Sequence, residues 1–176
     1  MTGRDPSFIR IIPTAREYIQ GFHDCVDVVA RERRYIGFVE GPPIEGTRAF
    51  IDSILAGAGI QLLALDADDA VVGWCDIMRI PFVGFHHCGR LGMGLLPAVR
   101  GQGLGQRLAI AAIERARALG MERIELEVFA SNERAIGLYR KLGFSIEGVK
   151  RRARKLDGQY DDNVLMALMD GVKSVG

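Results

Sequence analysis

The stretch with the clearest chemical potential is Arg100-Gly101-Gln102-Gly103-Leu104-Gly105, which follows the apolar run Leu95-Leu96-Pro97 and opens a helical pattern. Glycines where a strand turns into a helix let the backbone approach a ligand, and the first helical N–H groups, unpaired within the helix, point at it. Such a turn favours an anion, most naturally a phosphate. It is not a Walker A loop, because no lysine and hydroxyl residue follow Gly105. It matches the dinucleotide fingerprint weakly, reading Gly-x-Gly-x-Gly in place of Gly-x-Gly-x-x-Gly, although Glu125 stands about 20 residues on, where a ribose-binding acid would sit.

The turn also has the spacing Arg/Gln-x-x-Gly-x-Gly/Ala, met by Arg100, Gly103 and Gly105. A second segment follows in Asn132-Glu133-Arg134-Ala135-Ile136-Gly137-Leu138-Tyr139-Arg140-Lys141-Leu142-Gly143-Phe144. In these two segments, and in their order and separation, the chain resembles the GNAT N-acetyltransferases, in detail over its second half and in layout over its first. The resemblance implies acetyl-CoA as co-substrate. Arg100, Gly101, Gln102, Gly103, Leu104 and Gly105 would wrap its pyrophosphate, Asn132 and Ala135 would lie at the pantetheine arm, and backbone N–H groups near Leu95 would polarise the thioester carbonyl. Tyr139 matches the family's general-acid position, and a phenol with an ordinary pKa of about 10 stays protonated at neutral pH. The base does not carry over, because Gly89 stands where some relatives have a glutamate. His87, Glu127 and a water chain are the candidates, with Asp76 as a further carboxylate to steer a cationic amine. A domain that binds acyl-CoA without chemistry is the alternative, and Tyr139 argues against it.

The elements that must position these residues are readable from periodicity. Phe8 to Ile12 is a short strand, and Thr14 with Glu17 forms a capping box that predicts a helix starting there, with Tyr18, Phe22, Val26 and Val29 facing a core. The charged stretch Arg31 to Arg34 reads as a solvated helix end, and residues 37–46, with Pro42-Pro43, read as a loop. Phe50, Ile51, Ile54 and Leu55 make a second helix ended by Gly57 and Gly59. Strands are predicted at 60–65, 70–78 and from His86 or His87 to Leu96, where Gly89, Gly92 and Gly94 mark a bulge or a close approach. The glycine turn opens a helix with Leu104, Leu108, Ala111, Ala112 and Leu119 on one side, stopped at Leu119-Gly120. A strand at 123–129 sets Ile124, Leu126 and Val128 opposite Glu125 and Glu127. Ser131 or Asn132 caps the next helix, and Gly143 ends it. A terminal hairpin, 146–155 and 160–169, turns at Asp157-Gly158, and residues 171–176 look frayed. The order β-α-α-β-β-β-α-β-α-β-β predicts an α/β fold of one domain over 1–176, a mixed central sheet with helices on both faces.

Composition narrows the function classes. Net charge of +1, from 23 basic and 22 acidic residues, provides no field for nucleic acid or anionic membrane, and the run from Lys150 to Lys155 reads as edge charges or phosphate contacts. Cys25, Cys75 and Cys88 suggest neither a disulfide framework nor a metal site. The charged start at Arg4, Asp5 and Pro6 and the lack of a long apolar run predict a cytoplasmic protein. The expected acceptor is the primary amine of a small cationic metabolite, an amino acid or polyamine, drawn by Asp76, Glu40, Glu45 and Asp161-Asp162, with a protein N-terminus or lysine as the alternative. The last strand is expected to carry an exposed edge, so that a second copy would pair through the terminal hairpin to form a homodimer.

Overall fold

The expected order of strands and helices is the order found over residues 8–169, the part described by the computed structural model. Expectations for Arg4 to Pro6 and for residues 171–176 lie outside the described residues. The strands β1 (Arg10–Pro13), β2 (Gly59–Leu65), β3 (Val71–Arg79), β4 (Cys88–Leu95), β5 (Arg123–Phe129), β6 (Ser145–Leu156) and β7 (Gln159–Met169) form one sheet in the order β1-β2-β3-β4-β5-β7-β6. Neighbours are antiparallel except β4 and β5. Their parallel pairing requires a crossover, supplied by helix α3 (Leu104–Ala118).

Alternation of side chains along each strand separates two apolar layers. On one face α1 (Ile19–Arg31) and α2 (Ile44–Ser53) bring Phe22, Val26, Val29 and Ile51 onto Leu63, Leu65, Val71 and Trp74. On the other, Leu104, Leu108, Ala112 and Ala116 of α3 and Tyr139 of α4 (Glu133–Lys141) pack with Leu62, Cys75, Ile77, Ile124, Leu126 and Val128. Each such side chain taken out of water contributes about 1.5–3 kcal/mol, so the sheet's position between the two helix pairs is fixed mainly by burial.

Several local expectations are overturned by longer-range contacts. The Thr14–Glu17 capping box does not form: Thr14 N–H donates to Gln61 O at 3.1 Å, continuing the β1–β2 pairing, and after a short 3-10 turn at Arg16–Tyr18 the helix starts only at Ile19. The second helix starts inside the expected loop, at Ile44 behind Pro43, and ends in a single π-type turn (Ile54–Ala58) where Gly57 takes φ 96°. On α3, Leu119 lies beyond the helix and is exposed, whereas Ala109, Ile113 and Ala116 complete the buried face. The glycines of β4 mark no bulge, since its register with β3 is unbroken. They mark close approach: a Cβ on Gly94 would collide with the Trp74 indole.

The last strand is not an edge. β7 lies between β5 and β6, so the exposed edge of the terminal hairpin is β6 and not the final strand. The basic run is used within the chain: Lys150 pairs with Glu127, Arg151 with Asp162, Arg154 donates to Arg33 O, and Arg152 and Lys155 lie over the Tyr160 ring. Among the described residues no helix is long and apolar enough to cross a membrane.

Candidate active site

The site is built where β4 and β5 part. They pair only from Cys88–Arg123 to Arg90–Glu125, and beyond that no β4 residue has a β5 partner. Ile80 N–H donates to Cys88 O and Leu96 N–H to Val72 O, so the residues of β4 hydrogen-bonded to β3 are the even-numbered ones. Leu91, Met93 and Leu95 therefore turn their peptide groups toward the side from which β5 has departed. Likewise Ala130 N–H donates to Asp162 O, which leaves Glu127 and Phe129 turning theirs toward β4. Two strand edges face each other across a gap that an extended ligand arm can bridge with backbone hydrogen bonds. The Leu95 carbonyl is already filled, accepting from Arg100 Nε at 2.9 Å and Nη2 at 2.7 Å. Leu95 N–H remains directed into the gap.

The gap ends on the first turn of α3. Gly101 and Gly103 take φ 80° and 78°, and Gly103 is the residue before the helix. The first intrahelical bond runs from Arg107 N–H to Gly103 O, so the amides of Leu104, Gly105 and Gln106 have no acceptor within the helix. No acidic residue occupies that turn, and its positive end is open to an anion. Gly105 brings the turn close to β4 and α4: a Cβ there would lie 3.4–3.5 Å from Leu138, Leu95 and Met93. Leu104 buries its side chain in the core, and Gln102 Nε2 donates back to Ala98 O at 3.2 Å. At Gly101, Gly103 and Gly105 the backbone carries no side chain to cover it and is left open to a ligand.

Arg100 does not reach out to a phosphate. Its guanidinium holds Glu32 through two bonds of 2.8 and 2.5 Å and lies 4.8 Å from the centre of the Tyr35 ring. Glu32, in the charged stretch expected to be a solvated helix end, thus clamps the start of the α1–α2 connection to the end of β4. The other side of that connection is tied to the hairpin by Arg33, whose Nη2 donates to both Asp157 oxygens at 2.8 Å. The connection consequently spans the open end of the gap on the α1/α2 face. Glu32→Ala should lower unfolding stability by about 1–2 kcal/mol in urea titrations, between the values of exposed and buried pairs, because both partners are partly exposed. The cation that does stand over the cradle is Arg134 of α4, with Nη2 2.8 Å from where a Gly101 Cβ would be. It was available in the sequence only as the position two residues after Asn132.

Asn132 caps α4, its side-chain oxygen accepting from Ala135 N–H at 3.2 Å, while Ser131 is drawn off to Asp161. Tyr139 is buried on the α3/α4 face with its ring centroid 5.6 Å from that of Phe144. Burial, then the Cys75 and Asp76 charges, hold its pKa above the ordinary phenol value, so it stays neutral. The other two catalytic candidates are not brought to it. His87 is exposed at the closed end of the strands, its carbonyl accepting from Glu122 and Arg123. Glu127 projects to the opposite face, where Lys150 at 2.6 Å and Asn163 at 3.0 Å engage it. Lys150 pulls its pKa below the usual carboxylate range, opposite to what a base near neutrality needs. Of the acceptor-side acids, Asp161 is bonded to Ser131, and Asp162 to Arg151 and the Arg152 amide. Glu40 and Glu45 are exposed. Asp76 differs: it is partly enclosed in mid-sheet, and burial pushes its pKa up to about 7.

A parted pair of parallel strands leading to an anion-ready helix end is a plan suited to an extended ligand arm that ends in a phosphate. The chain belongs to the Acetyltransferase (GNAT) family, whose model matches residues 30–144. It is 35% identical over 108 residues, 61% of its length, to the L-methionine sulfoximine/L-methionine sulfone acetyltransferase of Pseudomonas paraeruginosa. To the spermidine N(1)-acetyltransferase of Escherichia coli it is 30% identical over 105 residues, 59% of its length. The matched segments span 63% and 55% of those relatives, less than two thirds of either. The crystal structure of an acetyltransferase of the GNAT family from Streptococcus pneumoniae is similar to it with a TM-score of 0.85 and 26% identity, covering 92% of this chain and 99% of that one.

Proposed function

We propose that the chain is an acetyl-CoA-dependent N-acetyltransferase that transfers the acetyl group directly to the primary amine of a small cationic metabolite. The observation that carries this reading is the unpaired edge of β4, which runs from Leu91 to Leu95 and ends on the open first turn of α3. Acetyl-CoA fits that shape: the amides from Gly101 to Gln106 and Arg134 would hold the pyrophosphate, and the β4 edge and Asn132 the pantetheine. Leu95 N–H would stabilise negative charge developing on the thioester oxygen, as a fixed dipole that needs no reorganisation. Tyr139 would supply the proton that the leaving sulfur takes up. An amine of a small molecule is supported by the two relatives above, whose names specify an amino-acid analogue and a polyamine.

The test is release of free thiol from acetyl-CoA across amino acids, L-methionine sulfoximine, polyamines, aminoglycosides and short peptides with free N-termini. Turnover with one of the small amines is expected. Activity confined to peptides would overturn the acceptor class, and CoA binding with no turnover on any acceptor would make the chain a binding module.

A further inference from the structure

The base is missing from the family-like positions, and the sheet register places a different group at the edge where it is needed. Thr14, Gln61, Asp76 and Gly92 are successive cross-strand neighbours on β1's continuation, β2, β3 and β4, and so share the α1/α2 face of the sheet. The row ends at Gly92, between Leu91 and Met93, whose peptide groups form the unpaired edge. Because Gly92 has no side chain, Asp76 reaches over it: its Oδ1 is 3.2 Å from where a Cβ would be. Behind Asp76, Gln61 is 2% exposed, and neither atom of its amide finds a hydrogen-bond partner among the described residues. A buried amide left unpaired beside a carboxylate costs stability unless a ligand or a functional charge uses it.

We propose that Asp76 receives the proton of the acceptor's ammonium group at the β4 edge, with Gln61 as the positioning residue that orients and favours its carboxylate. The proposal rests on the N-acetyltransferase reading above. The proton balance closes without another reactant. Asp76 takes one proton from R–NH3⁺, and the freed lone pair forms the C–N bond to the thioester carbonyl carbon as the C–S bond breaks. The departing sulfur takes a proton from Tyr139, which regains one from the new amide nitrogen, and Asp76 releases its proton to water. The two groups come from opposite faces of the sheet, Asp76 from the α1/α2 side and Tyr139 from the α3/α4 side, so the ammonium loses its first proton to a different group from the one that protonates sulfur.

The charges around Asp76 suit this role. The Gln61 amide, facing Asp76 from β2 but outside full hydrogen-bond geometry, lowers its pKa against the larger effect of burial, and no charged group on α1 or α2 contributes to holding it. Cys75 on its own strand and Tyr139 on α4 are the titratable groups that feel its charge. Arg90, next along that face of β4, is engaged by Glu125 of β5 at 3.2 Å. A carboxyl that titrates at about 7 is half ionised at neutral pH, matched to proton transfer there.

Thiol release with acetyl-CoA and the acceptors L-methionine sulfoximine, spermidine and diglycine should give a wild-type kcat/KM that rises with pH and bends near 7. In Asp76→Asn the value at pH 7 should fall roughly 10²-fold, and the bend should vanish, leaving a rate that climbs toward the amine's own pKa. Gln61→Leu should keep the plateau rate and move the bend to higher pH, which a merely structural role would not do. The fold is checked independently. Since burial raises the folded-state pKa above the unfolded value near 4, ionisation disfavours the native state as pH rises from about 4 to 7. Asp76→Asn should therefore melt no lower than wild type at pH 8. Wild-type turnover with an unchanged rate and bend in Asp76→Asn overturns the Asp76 assignment alone. Absence of thiol release from wild type with all three acceptors, with acetyl-CoA still bound, overturns the transferase reading beneath it. A carboxyl at position 76 that titrates near 4 in ¹³C-aspartate-labelled protein overturns the assignment without any acceptor.

Discussion

Tyr139→Phe lowers kcat by about 10²–10⁴-fold while affinity for CoA changes little, the result expected when only the proton donor to the leaving sulfur is removed. The substitution is clean because the ring, not the hydroxyl, does the packing: it lies against Phe144 inside the α3/α4 layer, and the hydroxyl makes no hydrogen bond to a described residue. The melting temperature should therefore stay at its wild-type value. Burial and the neighbouring Cys75 and Asp76 disfavour the phenolate, which makes Tyr139 unsuited to be the base and suited to hold its proton until sulfur departs. Pre-steady-state thiol release separates the outcomes. An unchanged chemical step would leave Tyr139 as a core residue and shift protonation of the sulfur to water.

Periodicity located the strands and helices to within a few residues, since the alternation at Ile124, Leu126 and Val128 and the three-to-four spacing along α1 reflect burial that each segment carries by itself. What it misplaced depended on partners distant in sequence. Thr14 has the composition of a helix cap but gives its N–H to Gln61, because extending the β1–β2 ladder satisfies the Gln61 carbonyl, which a capping box would leave unpaired. The place of β7 between β5 and β6 is a matter of strand order, which no local pattern encodes. The site divided along the same line. The glycine turn was legible because the role proposed for it uses the backbone, and glycine spacing reports backbone directly. Side-chain roles were less so. Arg100 is turned inward by Glu32, 68 residues away, and Glu127 is claimed by Lys150, 23 residues away. Asp76 stands out only once register sets it over Gly92 and beside Gln61.

Gly103→Asp should abolish CoA binding and leave the fold intact. Wild-type protein at a CoA concentration one hundred times Kd should gain about 2.7 kcal/mol, and the variant should gain nothing at the same concentration. Gly103 precedes α3 with φ 78°, a left-handed conformation that costs a substituted residue about 1–2 kcal/mol, least for Asn and Asp. Space is not the obstacle, since a Cβ there would meet no atom within 4 Å. An aspartate in this position places its charge at the positive end of the helix, where the pyrophosphate would bind. The variant is thus an internal competitor, and its own melting temperature should lie close to that of wild type. Gly103→Asn provides the control, having nearly the same shape and backbone tolerance without the charge, and should bind CoA more weakly but measurably. If melting curves with and without CoA show the same gain in Gly103→Asp as in wild type, the first turn of α3 does not hold the phosphates, and the ligand arm must enter the gap between β4 and β5 from another end.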